Sequence, residues 1–517
     1  MLVAMQKIHK LGVICDLHPN SGLGHFNRMS FLSGELNKLG VECVFLFESK
    51  LKEYLKKFQI KKKIIFYGEH SESLHEIFLK NNISSLIIDS YKSNYKFENS
   101  IKKLGLKIIA IDDHLKKHAA NIVFTNKPLS ERKYLNTKKQ IWFMGPEFAI
   151  FPNKKNKKKN SDKVKKILLH AGGSGLFNLI IELTICTINL AKSNDINITV
   201  LCPTIKSEKI IKGLLMNNNI NKNVKIIPYI KNLISEMHKY DVVVGPSGTS
   251  TFETIFSKSL PFTVQLKNDN RDSLNSWHSL GHFMHLSFDE KKDLNIIDLS
   301  WKLIFENKTR LSNILYRNSK MIDGNGAFRV AKKINDFLNN NLLFEVDKNS
   351  NIDSCLQTLE CSFYEMRRFL SLRNQKSVRY ASTNPSHIIS WPEHVNWWIK
   401  DDVRRFTIKQ NNKVIGFHWI KLNKDKNGKF ITSGWFLEDE IKNKLKIADQ
   451  VLKIQSRTVK ENYKNLDWII IMRNNNKFVK KININAGFKS PKKLSIDRAI
   501  SNFAIKEVDY NIMEMCL

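Results

Sequence analysis

The chain has 517 residues, 42% of them hydrophobic, and a formal net charge of +35. That length exceeds one hydrophobic core and implies about three domains of roughly 100 to 200 residues, while the absence of an apolar run of roughly 20 residues or of a secretion-type N-terminus leads us to expect a cytoplasmic protein without membrane insertion. Lys, Asn and Ile are over-used throughout and no basic stripe carries interleaved aromatics, so the charge reads as compositional bias and no nucleic-acid partner is expected.

In chain order, residues 1–152 alternate short apolar runs with amphipathic stretches. Strands are expected at Leu11–Cys15, Val41–Phe47, Lys63–Tyr67, Ser85–Asp89, Leu106–Ile111 and Asn121–Phe124, with a helical pattern at Met29–Leu39 between the first two. Such alternation implies a parallel sheet covered on both faces. A basic linker, 153–165, contains the run NKKNKKKN and has nothing to bury. The pattern resumes over 166–338, with strands expected at Lys166–His170, Ile198–Cys202, Val224–Ile227, Asp241–Val244 and Pro261–Gln265. Two such units leave a cleft at the carboxyl ends of their strands, where open parallel sheets bind ligands. A second linker, 339–358, precedes an α+β region, 359–517, with strand candidates Phe406–Gln410, Val414–Trp419, Ile431–Phe436 and Trp468–Met472.

The sharpest local signal is Ser21-Gly22-Leu23-Gly24-His25-Phe26-Asn27-Arg28, which follows the first strand and opens a helix. Glycines allow a tight turn and a close ligand approach, and a helix start offers unpaired N–H groups. A histidine there can take a proton from water at neutral pH, or simply bond locally at the helix start. Asp16 ends the same strand and can orient His25, bond a substrate hydroxyl or cap the turn. Asp89 with Tyr91, and Asp112 with Asp113, also lie at strand ends, where carboxylates face the cleft or cap turns. In the second unit Ala171-Gly172-Gly173-Ser174-Gly175 and Gly245-Pro246-Ser247-Gly248-Thr249-Ser250-Thr251-Phe252-Glu253 each join a strand to a helix. Both can receive phosphate on backbone N–H groups, and Glu253 can accept bonds from ribose hydroxyls or lie on a surface behind an N-cap. The seven cysteines are scattered without CxxC spacing, and no His/Asp cluster has metal-ligand spacing, so neither a disulfide framework nor a metal site is expected.

Taken in order, the motifs over roughly residues 10–285 resemble the UDP-sugar hydrolases of pseudaminic acid biosynthesis, which remove UDP from a 2,4-diacetamido-2,4,6-trideoxy sugar, and more distantly the MurG-like glycosyltransferases of the same GT-B fold. The Asp16-to-Arg28 spacing, Ile87 to Tyr91, Asp112-Asp113, Gly172-Gly173 and Gly248 to Glu253 carry the resemblance. It implies that His25 activates or positions the water that attacks the anomeric carbon with inversion, and that Asp16 supports it. Gly22, Gly24, Arg28, Asp89, Tyr91 and Asp113 would contact a UDP-amino-sugar, whose UDP would lie on Gly173, Ser247, Gly248, Thr249, Ser250 and Glu253. Asp269-Asn270 replaces the family's Asn-Gln pair near the sugar, and Gly145 to Pro152 lacks its tyrosine and arginine. The hydrolysis would need no cofactor. The alternatives are a GT-B glycosyltransferase using a UDP-sugar donor, and a catalytically reduced sugar-nucleotide-binding protein.

The C-terminal region resembles the GNAT acetyltransferases through Leu372-Arg373-Asn374, Val378-Arg379, Trp391 to Trp398, Asn474 to Asn476 and Ala486-Gly487-Phe488. That implies acetyl-CoA as a cofactor, near Ala448 at the end of a loop (Asn443 to Ala448) that lacks the family's glycines, and near Asn476. The family's frequent tyrosine acid is replaced by Asn483. The fold expected overall is α/β: a GT-B-like pair of Rossmann-type domains plus a C-terminal α+β GNAT-like domain.

Overall fold

The computed structural model describes residues 9–17, 24–56, 62–68, 74–127, 140–153, 162–172, 177–188, 190, 196–202, 204–217, 223–228, 230, 232–265, 271–342, 356–411, 413–503 and 505–517. Residues 1–348 form one compact unit and 349–517 another.

The N-terminal unit contains two parallel sheets. The first comprises β1 (His9–Cys15), β2 (Val41–Glu48), β3 (Ile64–Tyr67), β4 (Ser85–Asp89), β5 (Lys107–Ile111), β6 (Ile122–Thr125) and β7 (Ile141–Met144), in the order β3-β2-β1-β4-β5-β6-β7. Its strands are apolar on both faces because both are covered. Leu11, Val13, Phe45, Ile87 and Ile109 meet Met29, Leu32 and Leu36 of the helix Gly24–Lys38, while Val44, Leu46, Leu86, Ile88 and Ile108 form the opposite core. The second sheet comprises β8 (Lys166–Leu169), β9 (Asn197–Leu201), β10 (Val224–Ile227), β11 (Val242–Pro246), β12 (Leu260–Val264) and β13 (His285–Leu286), in the order β10-β9-β8-β11-β12-β13. All eleven strands expected in the two sheets form within a residue or two of their expected ends, whereas β7 and the two-residue β13 were not singled out in the sequence.

Strand order reverses between β1 and β4 in the first sheet and between β8 and β11 in the second. Loops leaving the carboxyl ends at such a reversal diverge to opposite faces and open a crevice. The helix Gly24–Lys38, which follows β1, and the helix Thr249–Phe256, which follows β11, both begin at these points. The last helix of this unit, Gly326–Leu338, departs from the expected assignment to the second domain. Its Ala327, Val330, Ala331, Ile334 and Leu338 pack into the core of the first sheet. The helix begins so close to the first lobe that a Cβ on Gly326 would lie 2.0 Å from the Ala149 carbonyl oxygen.

The C-terminal unit is a six-stranded sheet in chain order: β14 (Gln357–Glu360), β15 (Val403–Gln410), β16 (Lys413–Asp425), β17 (Gly428–Leu437), β18 (Asp467–Arg473) and β19 (Tyr510–Cys516). Neighbours are antiparallel except β17 and β18, which run parallel and pair only from Phe430↔Asp467 to Thr432↔Ile469. Beyond those pairs the two strands continue without pairing to each other.

Replacing Gly326 by Ala should destabilise the N-terminal unit by about 1–3 kcal/mol, because backbone rather than a flexible side chain fills the space. A chemical denaturation series should show the loss as a lowered midpoint, and an unchanged midpoint would refute the close packing.

Candidate active site

The helix Gly24–Lys38 starts at the carboxyl edge of the first sheet, so its first turn delivers His25 and Arg28 beside the ends of β1, β4 and β5. Their spacing of three puts both side chains on one face. His25 Nδ1 lies 2.8 Å from Asp89 Oδ1, and Arg28 Nε donates to Asp89 Oδ2 at 2.6 Å while its Nη2 also binds Oδ1. Arg28 Nη1 donates to Asp113 Oδ2 at 2.8 Å, and the Tyr91 hydroxyl reaches the same oxygen at 3.5 Å. The edge of one ring meets the face of the other where Tyr91 packs on His25, 4.6 Å between centroids.

Asp89 is fully buried, and His25 and Arg28 are 7% and 5% exposed. Burial would raise the Asp89 pKa, but the Arg28 charge and the His25 contact hold it down to about 2. Burial opposes the Arg28 charge too, and Asp113 and Asp89 together keep it firmly protonated. Since an ionised carboxylate can only accept, Asp89 fixes the hydrogen of His25 on Nδ1 and leaves Nε2 as the nitrogen able to take a proton.

Of the three roles open to Asp16, the structure shows the local one, in the turn. Its carboxylate accepts the Ser90 hydroxyl at 2.6 Å and the Tyr91 N–H at 2.7 Å, and so shapes the loop after β4. The reason is register: β1 pairs with β4 as Cys15↔Asp89, which sets Asp16 opposite Ser90. Asp89 thus takes the orienting place that sequence spacing could not distinguish from Asp16. Asp112 is a turn cap, accepting the N–H groups of His114 and Lys116, and Asp113 faces the site. Gly24 is the exposed first residue of the helix, and Gly22 lies outside the described residues.

In the second sheet β8 and β11 are neighbours, so the turn at Ala171-Gly172 and the loop at Ser247-Gly248 share one edge. Gly245 is required there, since a Cβ would lie 2.6 Å from His170 Nε2. Ser247, Thr249 and Ser250 are part-exposed at the start of the helix Thr249–Phe256. Glu253 sits half-buried in that helix, with no side-chain partner among the described residues, and burial raises its pKa to about 7. Gly173 and Asn270 lie outside the described residues. A small gap lined by Arg28, Asp113, Thr125, Asn126 and Phe148 of the first lobe is also lined by Thr249 of the second. Thr125 and Asn126 were missed in the sequence; Thr125 ends β6 and Asn126 follows it, the one signal that could have marked them.

In the C-terminal unit a cleft of about 350 Å³ opens where β17 and β18 part, lined by Ser433, Gly434, Trp435, Ile470, Met472 and Asn483 among others. Asn476 lines it and also caps the helix Lys477–Asn485 by accepting the Val479 N–H. The side chain of Ala448 faces inward. It is fully buried with Ile447, Val451 and Leu452, on the face that the helix Lys444–Asn462 turns to its core.

Fold and site define the N-terminal unit as a two-lobed α/β protein with Rossmann-type parallel sheets. No family model matches the chain. An uncharacterized protein of Methanocaldococcus jannaschii is 24% identical over 426 residues, spanning 78% of this chain and 81% of that protein, a span longer than either compact unit. Among solved structures, MurG of Acinetobacter baumannii is 12% identical, covers 63% of this chain and 98% of its own, and has a TM-score of 0.47. The MnaA–UDP complex of S. aureus is 14% identical, covering 66% and 100%, with a TM-score of 0.45. Among the described residues no helix is long and apolar enough to cross a membrane.

Asp89→Asn should destabilise the N-terminal unit by about 3 kcal/mol by leaving Arg28 short of a buried counter-charge. In the wild type the depressed Asp89 pKa contributes about 2 kcal/mol that is complete above pH ~4 and lost as pH falls through about 2. Acid titration of unfolding should show this limb in the wild type and not in the variant.

Proposed function

We propose that the N-terminal unit hydrolyses a UDP-linked amino-sugar with inversion at the anomeric carbon. The observation that carries this reading is the imidazole of His25, anchored through Nδ1 by Asp89 and placed at the strand-order reversal of the first sheet. Nε2 takes a proton from water while the water oxygen forms its bond to the anomeric carbon. The bond from that carbon to the β-phosphate oxygen breaks, and its electron pair leaves with UDP. Asp89 stabilises the imidazolium that forms, and Arg28 keeps Asp89 ionised.

The helix start at Thr249, with the hydroxyls of Ser247 and Ser250, suits a diphosphate, because its first N–H groups have no partner within the helix. Glu253 would meet the ribose hydroxyls. The gap shared by Arg28, Asp113 and Thr249 supports the idea that both lobes address one ligand. A diacetamido-trideoxy sugar is the substrate suggested by the sequence resemblance.

Incubation with UDP-amino-sugars should release UDP with water as the only acceptor. His25→Ala should cut that rate by at least about 100-fold, the usual worth of a positioned general base, and leave UDP affinity within twofold. Wild-type turnover in the variant would remove the histidine from the chemistry, and release only upon addition of a sugar acceptor would favour the glycosyltransferase alternative.

For the C-terminal unit we propose an acyltransferase-like role, favoured by the parting of β17 and β18 around a cleft. Asn443 caps the helix Lys444–Asn462 without a side-chain hydrogen bond, so first-turn N–H groups remain for a pyrophosphate, and Lys444 lines the cleft beside them. Acetyl-CoA fits this donor set and would supply an activated acyl group. Calorimetry should detect acetyl-CoA binding that weakens about tenfold in Lys444→Glu; absence of binding to the wild type would refute the assignment.

A further inference from the structure

Behind the candidate active site lies a buried cluster that the proposed chemistry leaves unused. Glu98, His118 and Asp112 are 0%, 6% and 2% exposed. His118 Nδ1 lies 2.7 Å from Glu98 Oε1, and Nε2 lies 3.2 Å from Asp112 Oδ2, an ion-pair contact off the ideal hydrogen-bond line. Ionised carboxylates offer only lone pairs, so each ring nitrogen that faces one is stable when it carries a hydrogen. A ring with a carboxylate at both nitrogens is therefore an imidazolium. The edge of Trp142 closes it off, 5.8 Å between centroids.

The two carboxylates also pin the segment 112–119 at both ends. Glu98 Oε2 accepts the Ala119 N–H at 2.7 Å, and Asp112 accepts those of His114 and Lys116 at 2.8 and 2.9 Å. Within this segment Asp113 receives Arg28 and Tyr91. Lys116 Nζ donates to the carbonyls of Ser90 and Ser93 at 3.0 and 2.5 Å, which ties the segment to the loop that Asp16 holds. The other charged or titratable groups around it point away from the ring: Lys102 Nζ bonds the Ala119 carbonyl, Lys117 lies over Tyr95, and His114 packs on Tyr91. From the strand side, neutral Gln140 donates to the His118 carbonyl at 3.1 Å.

We propose that His118 is a positioning residue for the active site, a buried imidazolium clamped between Glu98 and Asp112 that holds segment 112–116 in the shape presenting Asp113 to Arg28 and Tyr91. Its effect on turnover rests on the hydrolase reading; the charge clamp does not. Burial opposes the charge, yet Asp112 and Glu98 raise the His118 pKa to about 9. The clamp's stabilisation is therefore complete below the ordinary histidine value of roughly 6.5 and is lost as pH rises through about 9.

The test uses the full-length chain. In nitrogen-15 NMR of labelled histidine, the signals that vanish in His118→Gln should show both ring nitrogens protonated at pH 7.5 and titrate near pH 9. Thermal stability of the wild type should fall through the same pH, and that limb should be absent in the variant. With a UDP-sugar that the wild type turns over, His118→Gln should lower kcat about tenfold, abolish the alkaline limb of kcat and leave the UDP dissociation constant within twofold. Should His118→Gln not fold, Asp112→Asn, which keeps the shape and removes one carboxylate, should move both alkaline limbs down by about one pH unit. A neutral ring at pH 7.5, or variants with the wild-type kcat and pH profile, would overturn the proposal. If the wild type releases no UDP, the hydrolase reading falls, and the ring titration and thermal limb still decide the clamp.

Discussion

Much of the N-terminal unit's candidate chemistry depends on one buried ion pair, Arg28 with Asp89. Taking two charges out of water is expensive, and the cost is met only when geometry and further hydrogen bonds satisfy both partners. Here the guanidinium binds both oxygens of Asp89 and spends its remaining end on Asp113, while His25 completes the Asp89 shell. One cation faces two carboxylates, so the group carries a net charge of minus one while His25 is neutral.

The same constraint organises the loops. Asp16 and Lys116 bond the loop after β4, and the loop after β5 is pinned by Asp112 and Glu98 around His118. Each loop carries one group facing the site, Tyr91 or Asp113. The site is therefore a thin layer of side chains over a second layer of buried charge, and its geometry is set as much by the hidden layer as by the visible one. The second lobe adds Thr249 to the same gap, and further along the same helix burial raises the pKa of Glu253.

The return of the helix Gly326–Leu338 onto the first sheet couples the chain's two parallel sheets in one compact unit. Its close start against Ala149 explains why a glycine stands at that point. In the C-terminal unit the interruption of pairing between β17 and β18 creates a cleft without any insertion, since two parallel strands that diverge expose their inner edges to it.

Local pattern by itself determined the strands that are apolar on both faces, because burial on both sides of a parallel sheet leaves a continuous apolar run, and it marked glycine-rich segments after β1, β8 and β11, the strands at the order reversals. The two-residue β13 was not legible, since so short a strand carries no periodicity, and the edge strand β7 was not singled out either. Nor could spacing choose between Asp16 and Asp89 as the partner of His25, or reveal that His118 meets Glu98 and Asp112. Those choices depend on which strands become neighbours and in what register: Asp89 is 64 residues from His25 along the chain and 2.8 Å away in space. Hydrophobic periodicity is a property of adjacent residues, whereas a buried charge finds its partner only after the sheet has been assembled.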